Sequence, residues 1–283
     1  MTTTTQPQAP TTTAEPERIR KILVSKQDRP HRSGPVSASL TYGWRALLKI
    51  KHVPEQLFDV TIFPIMMTVM FTYIFGGALA GSVDQYVQWL IPGIFVQTLI
   101  MITMYTGLTL NKDISKGVFD RFRSLPTWRP AQLVGALLGD QVRYTLAGAI
   151  ILIVGFVMGF RPDGGLLGVL AAFLMLLVFS FSVSWIWTVV SLAVRSEQAA
   201  MGISMFILMP LTFASNIFVN PTTMPSWLEA VVDVNPVSVV VTSVRELMSG
   251  IYDVGSMMTV LIYCVVLVAV FGPISMFIYN RKS

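Results

Sequence analysis

Six stretches of this chain contain no Asp, Glu, Lys or Arg, and each is long: 60–83, 85–111, 144–160, 164–194, 198–228 and 254–280. A helix needs roughly 20 apolar residues, within a working range of about 17 to 25, to cross a hydrocarbon core of about 30 Å. Every window meets the lower bound, so the expected fold class is an all-α integral membrane protein with six transmembrane helices. The third window is the shortest, and Asp140 and Arg143 stand just ahead of it, which extends its helix back toward Gln132. The expected spans are 57–78, 89–110, 132–160, 166–194, 199–219 and 256–279, within a six-span domain of residues 56–283. Membrane β-barrels alternate in hydrophobicity along short segments; these continuous apolar runs do not. Only 12% of the residues are charged and the mean hydropathy is +0.66, against about 25% charged residues in soluble domains.

The charges that remain are lopsided. Seventeen of the 20 Lys and Arg residues fall in the region before the first span, in the loop 111–130, at Arg195 and at the C-terminus, while Arg161 and Arg245 fall on the other side. Positive residues in short loops stay cytoplasmic, which puts both termini inside. The same bias accounts for a pI near 9.4, so basic loops facing an anionic leaflet replace nucleic acid as its explanation. Residues 1–35, rich in Thr, Gln and Pro, read as a disordered cytoplasmic tail, and no apolar stretch before Leu40 suits a cleavable signal. In 36–55, Leu40, Trp44, Leu47, Leu48 and Ile50 share helical spacing with Arg45, Lys49 and Lys51. This is an amphipathic interfacial helix, either a plain anchor or a bracket that touches a cytoplasmic partner.

Catalytic chemistry has little to work with. The two histidines, His31 and His52, lie outside the spans, Cys264 lies alone in the last one, and no H-E-x-x-H or G-x-S-x-G pattern occurs. No metal site is expected. A phosphate loop requires a Gly-Lys pair, and the chain has none. If ATP drives a process here, another chain binds it.

The loop 111–130 combines charges with Ile114, Val118, Phe119, Phe122 and Leu125 at steps of three or four. Such a helix can lie on lipid or press into a groove on another protein, and periodicity does not choose. Asp140 and Arg143, one helical turn apart, can neutralise each other as a structural pair or carry a substrate or proton. Gly135 with Gly139, and Gly155 with Gly159, have the spacing that lets helices approach closely. Pro64, Pro210 and Pro273 can act as fixed bends or as hinges. Phe71, Tyr73, Met101, Tyr105, Phe206, Met209, Phe213 and Asn216 form a candidate substrate path for a planar or amphiphilic molecule, with lipid or helix packing as the plainer role for each. The segment 220–255, with Pro221, Pro225, Trp227 and Pro236, is too short and broken for two crossings and suits short helices at the outer interface.

The run Lys116-Gly-Val-Phe-Asp-Arg-Phe-Arg-Ser-Leu-Pro126 resembles the loop after the second span in type-2 ABC transporter permeases. A second match follows in the expected order: Ser215-Asn-Ile-Phe-Val, Met224-Pro-Ser-Trp-Leu, Asn235-Pro-Val-Ser and Arg245. The likeness runs from about Ser37 to the C-terminus, and its pattern is most similar to drug exporter permeases of the actinobacterial daunorubicin-resistance type. It implies a six-span permease subunit, without an ATPase site of its own, that works as a homodimer in a bacterial plasma membrane. Two copies of a separate ATP-binding subunit would carry ATP and Mg, so this chain binds no cofactor. The resemblance assigns ATPase coupling to Lys116, Gly117, Phe119, Asp120, Arg121, Phe122, Arg123 and Pro126. It assigns a structural role in the outer segment to Asn235, Pro236 and Arg245. The cargo implied is a hydrophobic or amphiphilic drug or natural product, with a lipid or lipid-linked glycan as the alternative and a proton-driven antiporter or a membrane scaffold as more distant ones.

Overall fold

The computed structural model describes residues 34, 37, 39, 41–44, 54–116 and 131–281, and over these residues it contains helices and no strand. Helix α1 (Pro54–Met70) passes through a π-helical turn, Phe71–Phe75, into the short α2 (Gly76–Ala80). There follow α3 (Val83–Ser115), α4 (Ala131–Val157), α5 (Gly165–Ala193) and α6 (Glu197–Phe213). A 3₁₀ turn at Pro221–Thr223 leads to α7 (Ser226–Val234) and α8 (Pro236–Met248), and α9 (Val254–Arg281) closes the chain. The starts are written locally. Ser82 and Ser196 are extended, and their hydroxyls accept the N–H of Gln85 and Ala199. Asp84 and Glu197 then sit in first turns, where the helix dipole favours negative charge.

Among the described residues four helices, α3, α4, α5 and α9, are long and apolar enough to cross a membrane. The pair α7 and α8, bent by 78° at its break, makes a fifth if counted as one broken span. The charge-free windows predict six. The difference lies in α6, which stops after 17 residues because the chain leaves helical geometry at Ala214, and in the first window, where the apolar helix Ile62–Ala78 is likewise short.

Helix α3 is the axis of the bundle, packed by α5, α4, α8, α6 and α1. Close approach depends on its glycines: a Cβ at Gly93 would stand 2.6 Å from the Ile217 carbonyl, and one at Gly107 would stand 2.8 Å from the Trp187 carbonyl. Polar side chains cross-link the same helices inside the apolar core. The Trp187 indole donates to Thr103 Oγ1 at 2.8 Å, and the Tyr144 hydroxyl pairs with Ser184 Oγ at 2.9 Å and with Thr106 Oγ1. Without water, such groups find partners only in protein, so each bond also fixes a helix rotation.

The two ends of the bundle differ. At one, Asn111 donates to the Ser191 and Val194 carbonyls, and Leu110, Leu133, Leu192 and Tyr279 cluster. Lys112, Lys116, Arg195 and Arg281 belong to this end. At the other, Gln88 bridges to the Gly159 carbonyl and the Arg161 N–H, and the Gly164 N–H donates to the Met248 carbonyl. Of the two glycine pairs, Gly135 packs against the preceding helical segment: a Cβ there would lie 2.5 Å from Tyr42 Cβ and 2.7 Å from the Ser39 carbonyl. Gly155 packs on Ile91, whereas Gly159 lies past the end of α4 with φ of 100° and serves the turn.

Candidate functional site

Two structures stand out against regular helix packing. The first is a cavity of about 300 Å³ between α1, α3 and α6. Helix α3 contributes Gln97, Thr98, Met101, Met104 and Tyr105, whose spacing of one to four residues puts them along one side. Phe63, Pro64 and Met67 close it from α1, and Met205, Met209 and Phe213 from α6. Five of the eleven lining residues are methionines, whose unbranched polarizable chains adapt to differing apolar shapes. No ionisable acid or base lines it apart from the Tyr105 phenol. This volume is at the small end of ligand pockets, which run from about 300 to 1,000 Å³.

The second is the non-helical stretch from Ala214 to Val219, in which Ser215, Asn216, Ile217 and Phe218 are buried. Irregular backbone at membrane depth survives only where protein satisfies it, and here α3 and α8 do so. Asn235 caps α8 by accepting the Val237 N–H, and its amide donates to the Leu211 carbonyl at 2.8 Å and to the Ala214 carbonyl at 2.6 Å. Ser238 accepts the Asn216 N–H, and Asn216 donates to Thr242. Tyr86 donates to the Phe218 carbonyl. Arg245 donates to the Trp89 and Ile217 carbonyls at 3.1 to 3.2 Å while its guanidinium lies 3.5 Å over the Trp89 ring. A stacked row of rings, Phe71 on Phe218 at 4.7 Å and Phe218 on Phe213 at 5.5 Å, joins this stretch to the cavity wall.

Comparison with known proteins decides the class. The family model for ABC-2 type transporters matches residues 38–249, most of the chain. It belongs to that family. A daunorubicin resistance ABC transporter permease from Streptomyces coeruleorubidus is 49% identical over 277 residues, covering 96% of each chain. A probable doxorubicin resistance permease from Mycobacterium tuberculosis is 22% identical over 67% of this chain and 68% of its own length. A putative transport permease from Cyanophora paradoxa is 26% identical over 72% of both. The protein is thus a multi-pass permease subunit of the ABC-2 family, a class that implies an ATP-binding partner.

In this ABC-2 permease the residues singled out from the sequence separate into groups. Met101, Tyr105, Met209 and Phe213 meet in the cavity. Phe71 stands beside it in the ring stack. Tyr73 and Phe206, 64% and 81% exposed, do not line it, and the Asn216 amide donates to Thr242. Asp140 and Arg143 form a buried ion pair at 3.2 Å. Asn235, Pro236 and Arg245 all belong to the α8 framework, where Val237, Val240, Val241, Val244, Leu247 and Met248 bury the helix against α3 and α5. Lys116 is exposed and ends α3. Gly117, Phe119, Asp120, Arg121, Phe122, Arg123 and Pro126 lie outside the described residues. Sequence reasoning missed Phe63, Met67, Gln97, Thr98, Met104 and Met205; the stripe 97, 101, 104, 105 was the available signal for Gln97 and Met104.

Proposed function

We propose that this permease is the membrane-spanning half of an ATP-driven exporter that moves a hydrophobic or amphiphilic drug or natural product out of the cell. The observation that carries this is the 49% identity, along 96% of both chains, to a permease named for daunorubicin resistance. The methionine-rich cavity supports the cargo class, since it suits apolar molecules of varied outline. In this reading two permeases pair, and two copies of a separate ATP-binding subunit hold ATP and Mg and dock on the loop 111–130. Lys116, Gly117, Phe119, Asp120, Arg121, Phe122, Arg123 and Pro126 transmit their movement, with aromatic packing supplying most of the affinity, because exposed ion pairs contribute only about 0 to 1 kcal/mol each. The end that carries Lys112, Lys116, Arg195 and Arg281 is cytoplasmic. The α1–α2 segment and α6 complete six spans, and α7 with α8 dips in from outside.

The test is co-expression with the ATP-binding subunit in a drug-susceptible host, with retained daunorubicin measured. Reduced retention that persists when the proton gradient is collapsed and ends on ATP depletion is the expected result. Retention that follows the proton gradient would establish an antiporter. Unchanged retention, with labelled phospholipid appearing in the outer leaflet, would favour lipid export instead.

A further inference from the structure

Four carboxamide residues are buried among the described residues: Gln97, Asn111, Asn216 and Asn235. Three have evident work. Asn111 holds the carbonyls that end α5, Asn216 holds Thr242, and Asn235 holds the carbonyls that end α6. Gln97 is 7% exposed, faces the cavity and has no hydrogen-bond partner among the described residues. It stands near the middle of the 33-residue α3, at the depth where water is scarcest and an unmet amide is most costly. Of the two hydroxyls in the lining, Thr98 Oγ1 donates to the Ile94 carbonyl at 2.7 Å, and Tyr105 is engaged in an interaction of its own.

We infer that Gln97 is the specificity-determining contact of the cavity, selecting cargo in which an apolar ring frame carries a carbonyl or hydroxyl group. This rests on the exporter reading above and deepens it. A carboxamide offers one acceptor and one NH₂ donor, so it pairs with a ketone, a hydroxyl or both. The lining elsewhere is permissive: the methionines and phenylalanines accept many outlines and discriminate weakly between them. A site built to hydrogen-bond a polar group rejects an analogue lacking that group far better than apolar walls reject one of altered shape. No lining residue bears a fixed charge, so a cationic or anionic group on the cargo stays outside the cavity.

The experiment uses the full permease with its ATP-binding subunit in inverted membrane vesicles and a pair of three-ring probes, 1-hydroxyanthraquinone and anthracene. ATP-dependent uptake of each is measured for wild type, Gln97→Met, which keeps length and apolar bulk, and Gln97→Asn, which keeps the amide. Gln97→Met is expected to lower hydroxyanthraquinone uptake about three- to ten-fold, the scale of one lost hydrogen bond, and to leave anthracene uptake unchanged. Gln97→Asn is expected to retain a preference for hydroxyanthraquinone. An unchanged probe ratio in Gln97→Met, or an equal fall for both probes at equal membrane levels of protein, overturns the inference. A wild type that pumps neither probe yet lowers retained daunorubicin overturns the inference, and one that does neither overturns the exporter reading. Nucleotide-free binding of the two probes to the same complexes then decides the role of Gln97 by the same ratio.

Discussion

Helices α3 and α9 are nearly matched in length, 33 and 28 residues, and both are apolar throughout their central turns. Yet 83% of the most apolar window of α3 is buried, against 11% for α9. In water such similarity would force a similar fate, since apolar surface is driven inward. In a bilayer the lipid tails are as apolar as leucine, so burial is decided by what can pack closely or must find a polar partner. Helix α3 carries Gly93, Gly107, Thr103, Thr106, Gln97 and Asn111 on its buried faces. Helix α9 presents Met258, Leu261, Ile262, Val265, Val266 and Phe277 outward, a face suited to hydrocarbon.

The sharpest way to break this contrast is to add one methyl group to each helix. At Gly93 the new Cβ would meet the Ile217 carbonyl at 2.6 Å and an Arg245 nitrogen at 3.2 Å, and a backbone carbonyl cannot swing aside as a flexible side chain can. Gly93→Ala is therefore expected to destabilise the folded protein by about 1 to 3 kcal/mol, the range for overpacking, in reversible unfolding from detergent. At Gly272 in α9 there is nothing within 4 Å, and Gly272→Ala should be neutral or slightly stabilising. Equal losses at the two sites would dissolve the distinction between an axis helix and a peripheral one.

A smaller effect is expected from deleting one hydroxyl on each side of the contrast. Tyr144→Phe removes the group that joins α4 to Thr106 on α3 and to Ser184 on α5. The expected cost is about 1 kcal/mol, within the range for hydrogen bonds between membrane helices. Thr259→Val in α9 removes only a bond back to the Gly255 carbonyl of its own helix, and its change should stay within about 0.5 kcal/mol. The double variant Thr106→Val with Tyr144→Phe should cost less than the two single changes added together, because the bond can be lost only once.

These contrasts also explain what could be read from the chain alone. Charge spacing is a one-dimensional property and so is helix existence; the all-α membrane class follows from windows such as 164–194 without reference to any contact. Which helix lies inside is a three-dimensional property, and hydropathy is silent on it when the solvent is itself apolar. Gly135 was legible as a packing residue because the spacing of small residues is local, but its partner, the segment containing Tyr42, was not. Met101, Tyr105, Met209 and Phe213 were legible as cargo candidates by chemistry, and Phe206, identical in kind to Phe213, lies outside the cavity lining. Gln97 was passed over because a single amide in an apolar run has no pattern to announce it. What sets it apart is that the amides of Asn111, Asn216 and Asn235 each donate to a protein acceptor, whereas that of Gln97 is turned to the cavity. The burial of α8 was hidden for a related reason: Pro225 and Pro236 mark broken helix but not the direction in which the broken pieces turn.

The least of the expected effects separates the two helices at their starts. Helix α3 begins on a neutral cap, Ser82, whose hydroxyl accepts the Gln85 N–H at 3.2 Å. Helix α9 begins on Asp253, whose carboxylate accepts from the Gly255 and Ser256 N–H groups at 3.1 Å and from the Ser256 hydroxyl at 2.7 Å. These bonds favour the charged form, with the Ser256 hydroxyl foremost, and hold the carboxyl below its ordinary value of 3.8. A depressed folded value means that the cap's contribution is fully present above the ordinary value and is lost as pH falls through the lower, folded one. Amide exchange at 254–257, corrected for its intrinsic pH dependence, should therefore be flat from neutral pH down to about 4 and should quicken below it. Amides at 83–86, followed in Asp84→Asn so that the carboxylate of that first turn is removed, should show no such step, since a serine cap does not titrate. Asp253→Asn keeps an acceptor oxygen and removes the titration, so it should abolish the step at α9; a step that persists in that variant would place the acid-sensitive group elsewhere.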